Sequence, residues 1–271
     1  MVQILDTRIV CAVLLLLIAG CSQPKKWSYE ETISLKQINP LGITTTDNTI
    51  WISASKQKKV VAIDSQGNVL KEFTDLQRPM HIQAYQNKVY VPIYLEDKIA
   101  VINENHIDTL NLKVQPDAPA GVFVHNDTVA VADFYNHRII LQTDDTINTY
   151  GGKGHEKGQL FYPTDIEISG KKIFVADAYN HRVQIFDLDG NPLKIIGADQ
   201  KINVATGLAV YDKQLFVTDF FNNRILIYDL NGNLIQTLSG HFNKPTDIGV
   251  MNSDIYVANF GDTTLVRYSR N

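Results

Sequence analysis

Thiols are almost missing from this chain. Its 271 residues include two cysteines, Cys11 and Cys21, both close to the N-terminus. No disulfide framework can therefore hold the remainder together, and its stability has to come from core burial and sheet closure. A basic excess is missing as well: 25 Lys+Arg face 29 Asp+Glu, a net charge of −4. Nucleic acid needs a basic footprint, so it is not expected as a partner. The Gly-x-Ser-x-Gly elbow, the His-Glu-x-x-His zinc helix and the phosphate loop are all absent, which removes the most recognisable hydrolase and nucleotide-binding classes. The apolar run from Ile9 to Ala19 is too short to span a bilayer as a helix.

That run has the length of a signal-peptide core. It ends in Ile18-Ala19-Gly20-Cys21 and is followed by Ser22-Gln23-Pro24, which resembles the bacterial lipobox. The resemblance implies removal of residues 1–20, lipidation of Cys21 and a linker over 21–27. It also implies an extracytoplasmic location, with the protein anchored by lipid (palmitate among the acyl groups) in the outer or cytoplasmic membrane of a bacterial cell envelope. With Cys11 removed and Cys21 modified, no free thiol is expected in the mature protein.

A repeat dominates the rest of the chain. Val131-Ala-Asp-Phe-Tyr-Asn-His-Arg-Ile139 returns as Val175-Ala-Asp-Ala-Tyr-Asn-His-Arg-Val183 and as Val217-Thr-Asp-Phe-Phe-Asn-Asn-Arg-Ile225. Aligned on a turn before a short apolar run, six units begin at Pro40, Pro79, Pro119, Pro163, Ala205 and Pro245. A fixed period of this length points to a repeat architecture. Each unit reads as four short β runs separated by Gly, Asn and Asp turn residues. Gly67-Asn68, Gly190-Asn191 and Gly232-Asn233 sit where the third and fourth runs would form a hairpin. Four strands per unit in a radial array predict an all-β, six-bladed β-propeller. The sixth unit lacks a fourth run, and Tyr29–Lys36 is a spare one. The N-terminal strand is therefore expected to complete the last blade and remove its open edge.

The repeated sentence resembles the NHL-repeat family, whose members form six-bladed propellers. The linker Gly151-Gly-Lys-Gly-His-Glu-Lys-Gly-Gln-Leu-Phe-Tyr-Pro163 is similar to that family's inter-blade linker. The resemblance weakens in units one and two, where Ile50–Ala54 and Val89–Ile93 keep the strand and lose the Asp. Pro92 within such a run predicts irregular geometry there.

Asp133, Asp177 and Asp219 recur at the end of the second strand, and Arg138, Arg182 and Arg224 at the start of the third. Repetition in several units reads as scaffolding, because a catalytic group more often appears once. His137 and His181 belong to the same set and are not read as metal ligands. The positions where units differ carry more information about function. The residue two after the turn is Gly42, His81, Gly121, Asp165, Gly207 and Asp247 round the ring. His81, Asp165 and Asp247 lie in alternate blades and could converge over the channel as ligands for a divalent cation, Ca or Zn. His155 and His241 are predicted in linkers on the same face, with Tyr135, Tyr179 and Phe221 in nearby loops. The competing reading is that Asp165 and Asp247 cap their own turns through backbone hydrogen bonds.

Two classes of function follow. One is a monomeric binding or scaffold propeller that presents a loop face to a protein, peptide or glycan. The other is a metal-dependent lyase or hydrolase. Peptide α-amidating lyases and some lactonases share the propeller architecture, and a three-His zinc site like that of the lyases would have to recruit His155 and His241.

Overall fold

A computed structural model describes residues 26–270, and Cys21 with the segment before it lies outside them. Twenty-four strands form six four-stranded antiparallel sheets, the blades, numbered 1 to 6 in chain order. Blade 4 is the clearest: Pro163–Ser169, Lys172–Asp177, Arg182–Asp187 and Pro192–Ile196. Among the described residues, the helical elements are two three-residue 3-10 turns, Ser55–Gln57 and Ala178–Asn180. Strands form because β-branched and aromatic residues alternate between two packed faces. Facing blades bury them in shared layers, such as Phe174, Ile185, Leu208 and Leu226 between blades 4 and 5.

Blade 6 is completed by the N-terminal strand Trp27–Ser34, which pairs with Thr264–Arg270. The strand begins at Trp27, two residues earlier than the sequence pattern indicates, and Trp27 is a core residue rather than linker. Its indole N–H donates to Gln214 Oε1 at 2.9 Å, and its backbone N–H donates to Gln236 Oε1 at 3.0 Å. One strand thus closes blade 6 and fastens it to blade 5.

Blade 2 carries the expected irregularity, displaced from the proline itself. Lys88–Ile93 runs straight through Pro92, which pairs with Ile99. The neighbouring innermost strand shrinks instead to Gln83–Tyr85. Pro92 has no N–H to donate on that side, and pairing resumes only as an isolated bridge between Pro79 and Ile93.

Candidate functional site

The Asp set of blades 3 to 5 is fully buried and works as a double staple. Asp177 Oδ1 accepts the linker N–H of Phe161 at 2.7 Å, while Oδ2 accepts from Arg182 Nε at 2.7 Å and Gln184 Nε2 at 3.0 Å. Asp133 binds Asp117 N–H and Arg138 in the same way, and Asp219 binds Asn203 N–H and Arg224. Asn136, Asn180 and Asn222 donate to the same carboxylates. His137 and His181 adopt left-handed backbone, with φ of 53° and 54°, and their Nδ1 atoms accept N–H groups of the next linker, Tyr162 and Val204. Burial, then Lys153, pushes the His137 imidazole down, which suits the neutral ring an acceptor requires.

The ring at the start of the innermost strands has a packing logic. A β-bulge separates Pro119 from Gly121, Pro163 from Asp165 and Pro245 from Asp247, and bulges re-aim side chains. A Cβ on Gly121 would lie 2.6 Å from Asp165 Oδ1, and one on Gly207 would lie 2.7 Å from Asp247 Oδ1. Gly42 stands in the same relation to the His81 backbone. Small residues alternate with His and Asp because each large group covers the preceding blade's strand.

The geometry brings His81, Asp165 and Asp247 together: one ligand atom from each lies within 4.8 Å of the others. All three are buried. The two carboxylates are also structural. Asp165 Oδ1 accepts Ile166 N–H at 2.9 Å and Oδ2 accepts Leu208 N–H of blade 5 at 2.7 Å. Asp247 Oδ1 accepts Ile248 N–H at 2.9 Å and Oδ2 accepts Ile43 N–H of blade 1 at 2.9 Å. The local half of this pattern is the turn cap expected from sequence. The second half, a bond to the next blade, was not legible there.

His81 Nδ1 sits 3.3 Å from Asp247 Oδ2, an ionic contact whose geometry leaves Nδ1 without a hydrogen-bond partner. Burial pushes the imidazole down, but the carboxylates of Asp247 and Asp165 outweigh it and the net shift is upward. Burial drives Asp165 up to about 7, against the opposing pull of His81. The chemistry of this donor set, one imidazole and two carboxylates, fits a Ca or Zn ion.

The two linker histidines do not join the cluster. His155 Nδ1 meets Asn180 Oδ1 at 2.5 Å, and its ring lies against Phe161. His241 stacks on Tyr29 of the outermost strand of blade 6, with centroids 3.8 Å apart. A three-His centre is therefore not assembled.

Sequence reasoning missed Glu167. It follows Asp165 by two positions, so strand alternation puts both on the channel side. Thr44, Gln83, Phe123, Glu167, Ala209 and Gly249 form a second tier below the first. Burial, then Asp165 and Asp247, raise the Glu167 carboxyl well above the usual range. The i, i+2 spacing was the signal that could have found it.

The loops between second and third strands carry an aromatic arc on the first-tier face. Phe134 packs on Tyr162 with centroids 4.7 Å apart, Tyr162 on Tyr179 at 4.9 Å and Tyr94 on Tyr135 at 5.6 Å. Phe220 and Phe221 continue the arc at 4.8 Å. Tyr135, Tyr179 and Phe221 are about half exposed, at 49%, 54% and 55%. Arg78 lies over Tyr94 and Lys56 over Phe260, at 4.0 and 4.4 Å from the ring centres.

Comparison with known proteins agrees with this geometry. The NHL repeat model matches residues 162–186, which span the blade 4 staple. Streptogramin B lyase is similar in structure, with TM-score 0.66 and 16% identity over 92% of this chain and 98% of that one. A catalytically inactive virginiamycin B lyase from Staphylococcus aureus, solved with quinupristin, gives TM-score 0.64 and 18% identity over 90% of this chain and 88% of that one. The WD40 β-propeller domain of Doa1 gives TM-score 0.67 at 10% identity, over 90% of this chain and 97% of that one. At these identities the likeness is one of fold. No curated protein matches the sequence. The chain is thus a six-bladed β-propeller that carries a match to the NHL repeat in blade 4.

Proposed function

We propose that this propeller is a binding module whose aromatic loop face takes a protein or peptide partner, and that a lipid on Cys21 holds it at the bacterial cell envelope. The supporting observation is the arc of half-exposed Tyr135, Tyr179 and Phe221 beside Arg78 and Lys56. Tyr and Arg are the side chains that concentrate binding energy at protein interfaces. Aromatic rings on short turns also lose little entropy on binding. The test uses the full-length protein in membranes, crosslinked and recovered with whatever it holds. A Tyr135→Ala/Tyr179→Ala double variant should lose the recovered partner while keeping the wild-type melting temperature. An identical recovery from wild type and double variant refutes the loop-face reading. A Cys21→Ser variant should leave the membrane fraction, and a wild-type protein that is soluble after sedimentation refutes the anchor.

The second reading is a metal-dependent lyase or hydrolase, favoured by the convergence of His81, Asp165 and Asp247. A Ca or Zn ion held there would supply Lewis-acid polarisation. Against it stands the burial of all three groups, which keeps a substrate from reaching them without blade movement. Each carboxylate oxygen also already receives a backbone N–H. A cation at this position is thus better suited to holding blades together than to chemistry. Metal content after dialysis against a weak chelator tests the cation itself: a stoichiometric ion lost on His81→Ala supports the metal site, and absence of any ion removes the metal-dependent reading.

A further inference from the structure

The channel end away from the aromatic loops opens into a cavity of about 900 Å³, within the size range of small-ligand sites. It runs from the second tier outward between blades 3 and 4. Its walls include Phe123 and Tyr150 of blade 3, and Glu167 and Ser169 of blade 4. No Lys or Arg lines it, so an anionic ligand finds no counter-charge. Many of its polar groups are hydroxyls and amides, and several are unused. Among the described residues, the side chains of Thr128, Asn148, Glu167 and Ser169 make no hydrogen bond within the protein. Gln83 spends its Oε1 on Val124 N–H and keeps its amide N–H groups free. Tyr150 gives its hydroxyl proton to Leu188 O at 3.0 Å, which fixes its ring in the wall.

Unspent donors and acceptors beside flat aromatic rings define a class of ligand. A sugar presents hydroxyl edges to amides, hydroxyls and carboxyls, and a C–H face to a ring. We infer that this cavity is a binding site for a neutral, hydroxyl-rich ligand of about disaccharide size, with Phe123 and Tyr150 as stacking walls and Glu167 as the hydrogen-bonding group at its inner end. This site is on the opposite face from the proposed partner surface and does not depend on it. Glu167 lines the inner end of the cavity and makes no hydrogen bond or ion pair within the described residues, so its carboxyl is available to a ligand hydroxyl.

The experiment is saturation-transfer NMR and calorimetry on the full chain with three neutral disaccharides, maltose, cellobiose and lactose, and with one uronic-acid disaccharide as the anionic control. At least one neutral sugar should bind with a Kd of about 1 mM or tighter. Glu167→Ala should weaken it about tenfold, whereas Glu167→Gln, which keeps a hydrogen-bonding group of the same length, should stay within about threefold. Ser169→Arg, at the rim, should abolish binding without touching the inner end, and serves if Glu167→Ala does not fold. The inference is overturned by any of three results: no transfer to a neutral sugar at about 10 mM, binding that Ser169→Arg leaves intact, or uronic-acid binding as tight as neutral binding.

Discussion

Blades 3 to 5 and blades 1 to 2 solve one problem with different residues. The problem is to hold the loop between second and third strands against the incoming linker. In blades 2 to 6 the same backbone bond does this: Leu95 N–H to Gln77 O, Tyr135 N–H to Asp117 O, Tyr179 N–H to Phe161 O, Phe221 N–H to Asn203 O and Gly261 N–H to Asn243 O. Blades 3 to 5 add the buried Asp, bonded on both oxygens. Blades 1 and 2 put Ala54 and Ile93 there, both fully buried, and blade 2 adds Arg78 over Tyr94. Across blades 2 to 6 the backbone bond is common and the side chain beside it is interchangeable, while in blade 1 the Gln57 side-chain amide donates to Gln37 O instead. A buried ion pair and a packed apolar residue can be of similar net value, while half of an ion pair is costly. The motif is therefore a staple for which a packed apolar residue can stand in, and its absence from blades 1 and 2 says nothing about their order.

The sharpest way to break this comparison is to remove a whole strand rather than a staple. A chain beginning at Pro40 lacks Trp27–Ser34, the outer strand of blade 6 and its ties to Gln214 and Gln236. No other residue supplies that edge, so it should aggregate or lose its cooperative thermal transition. A chain beginning at Lys26 should melt like the full-length protein. An unchanged melting temperature for the shorter chain refutes closure.

At the scale of one staple, Asp177→Ala should cost about 3–5 kcal/mol, because Arg182, Gln184 and the Phe161 N–H lose their shared acceptor. Ile93→Ala, at the matching place in blade 2, should cost about 2–5 kcal/mol through a cavity. Urea unfolding of both variants measures the comparison directly. If Asp177→Ala costs under about 1 kcal/mol, the staple is ornamental and the backbone bonds suffice.

How much of this was legible in the sequence follows from the same contrast. Six units, four strands each and the N-terminal closure could be read, since period and turn residues are local signals. The cluster at the channel was legible as a convergence of His81, Asp165 and Asp247. Its second role was not, because Asp165 bonds Leu208 and Asp247 bonds Ile43 across more than forty positions of chain. That His155 and His241 stay outside the cluster was not legible for a related reason: a linker's face can be read from the repeat, but the neighbours of one ring in it, Phe161 or Tyr29, cannot. The Gly-large alternation, read as chemistry, is also steric. Gly121→Ala should cost about 1–3 kcal/mol by driving a methyl against Asp165, a smaller effect than loss of a staple. A neutral result in thermal melting refutes the packing explanation.

The smallest expected effect separates the two tiers of the channel by pH. Asp165 is held at about 7, above its ordinary 3.8, so the folded state keeps a proton that the unfolded chain releases. Its contribution to stability falls as pH rises from about 4 to about 7 and is level beyond. Glu167 is raised well above 4.5 and acts with the same sign. His81 is raised above 6.5; its stabilisation is complete below that value and is lost as pH climbs through the folded one. The aspartates of the hairpin turns, Asp64, Asp187 and Asp229, are lowered, so they oppose only below about pH 4. Stability should therefore decline from mildly acidic to mildly alkaline solution. Glu167→Gln should flatten the decline without removing any hydrogen bond, because Glu167 makes none within the described residues. Urea midpoints at about pH 5 and about pH 8 measure both slopes. A divalent cation bound by the first tier would favour the Asp165 carboxylate and reverse its share of the trend. An identical slope in wild type and Glu167→Gln refutes the titration of the second tier, and a slope that saturating Ca or Zn leaves untouched speaks against a cation at His81, Asp165 and Asp247.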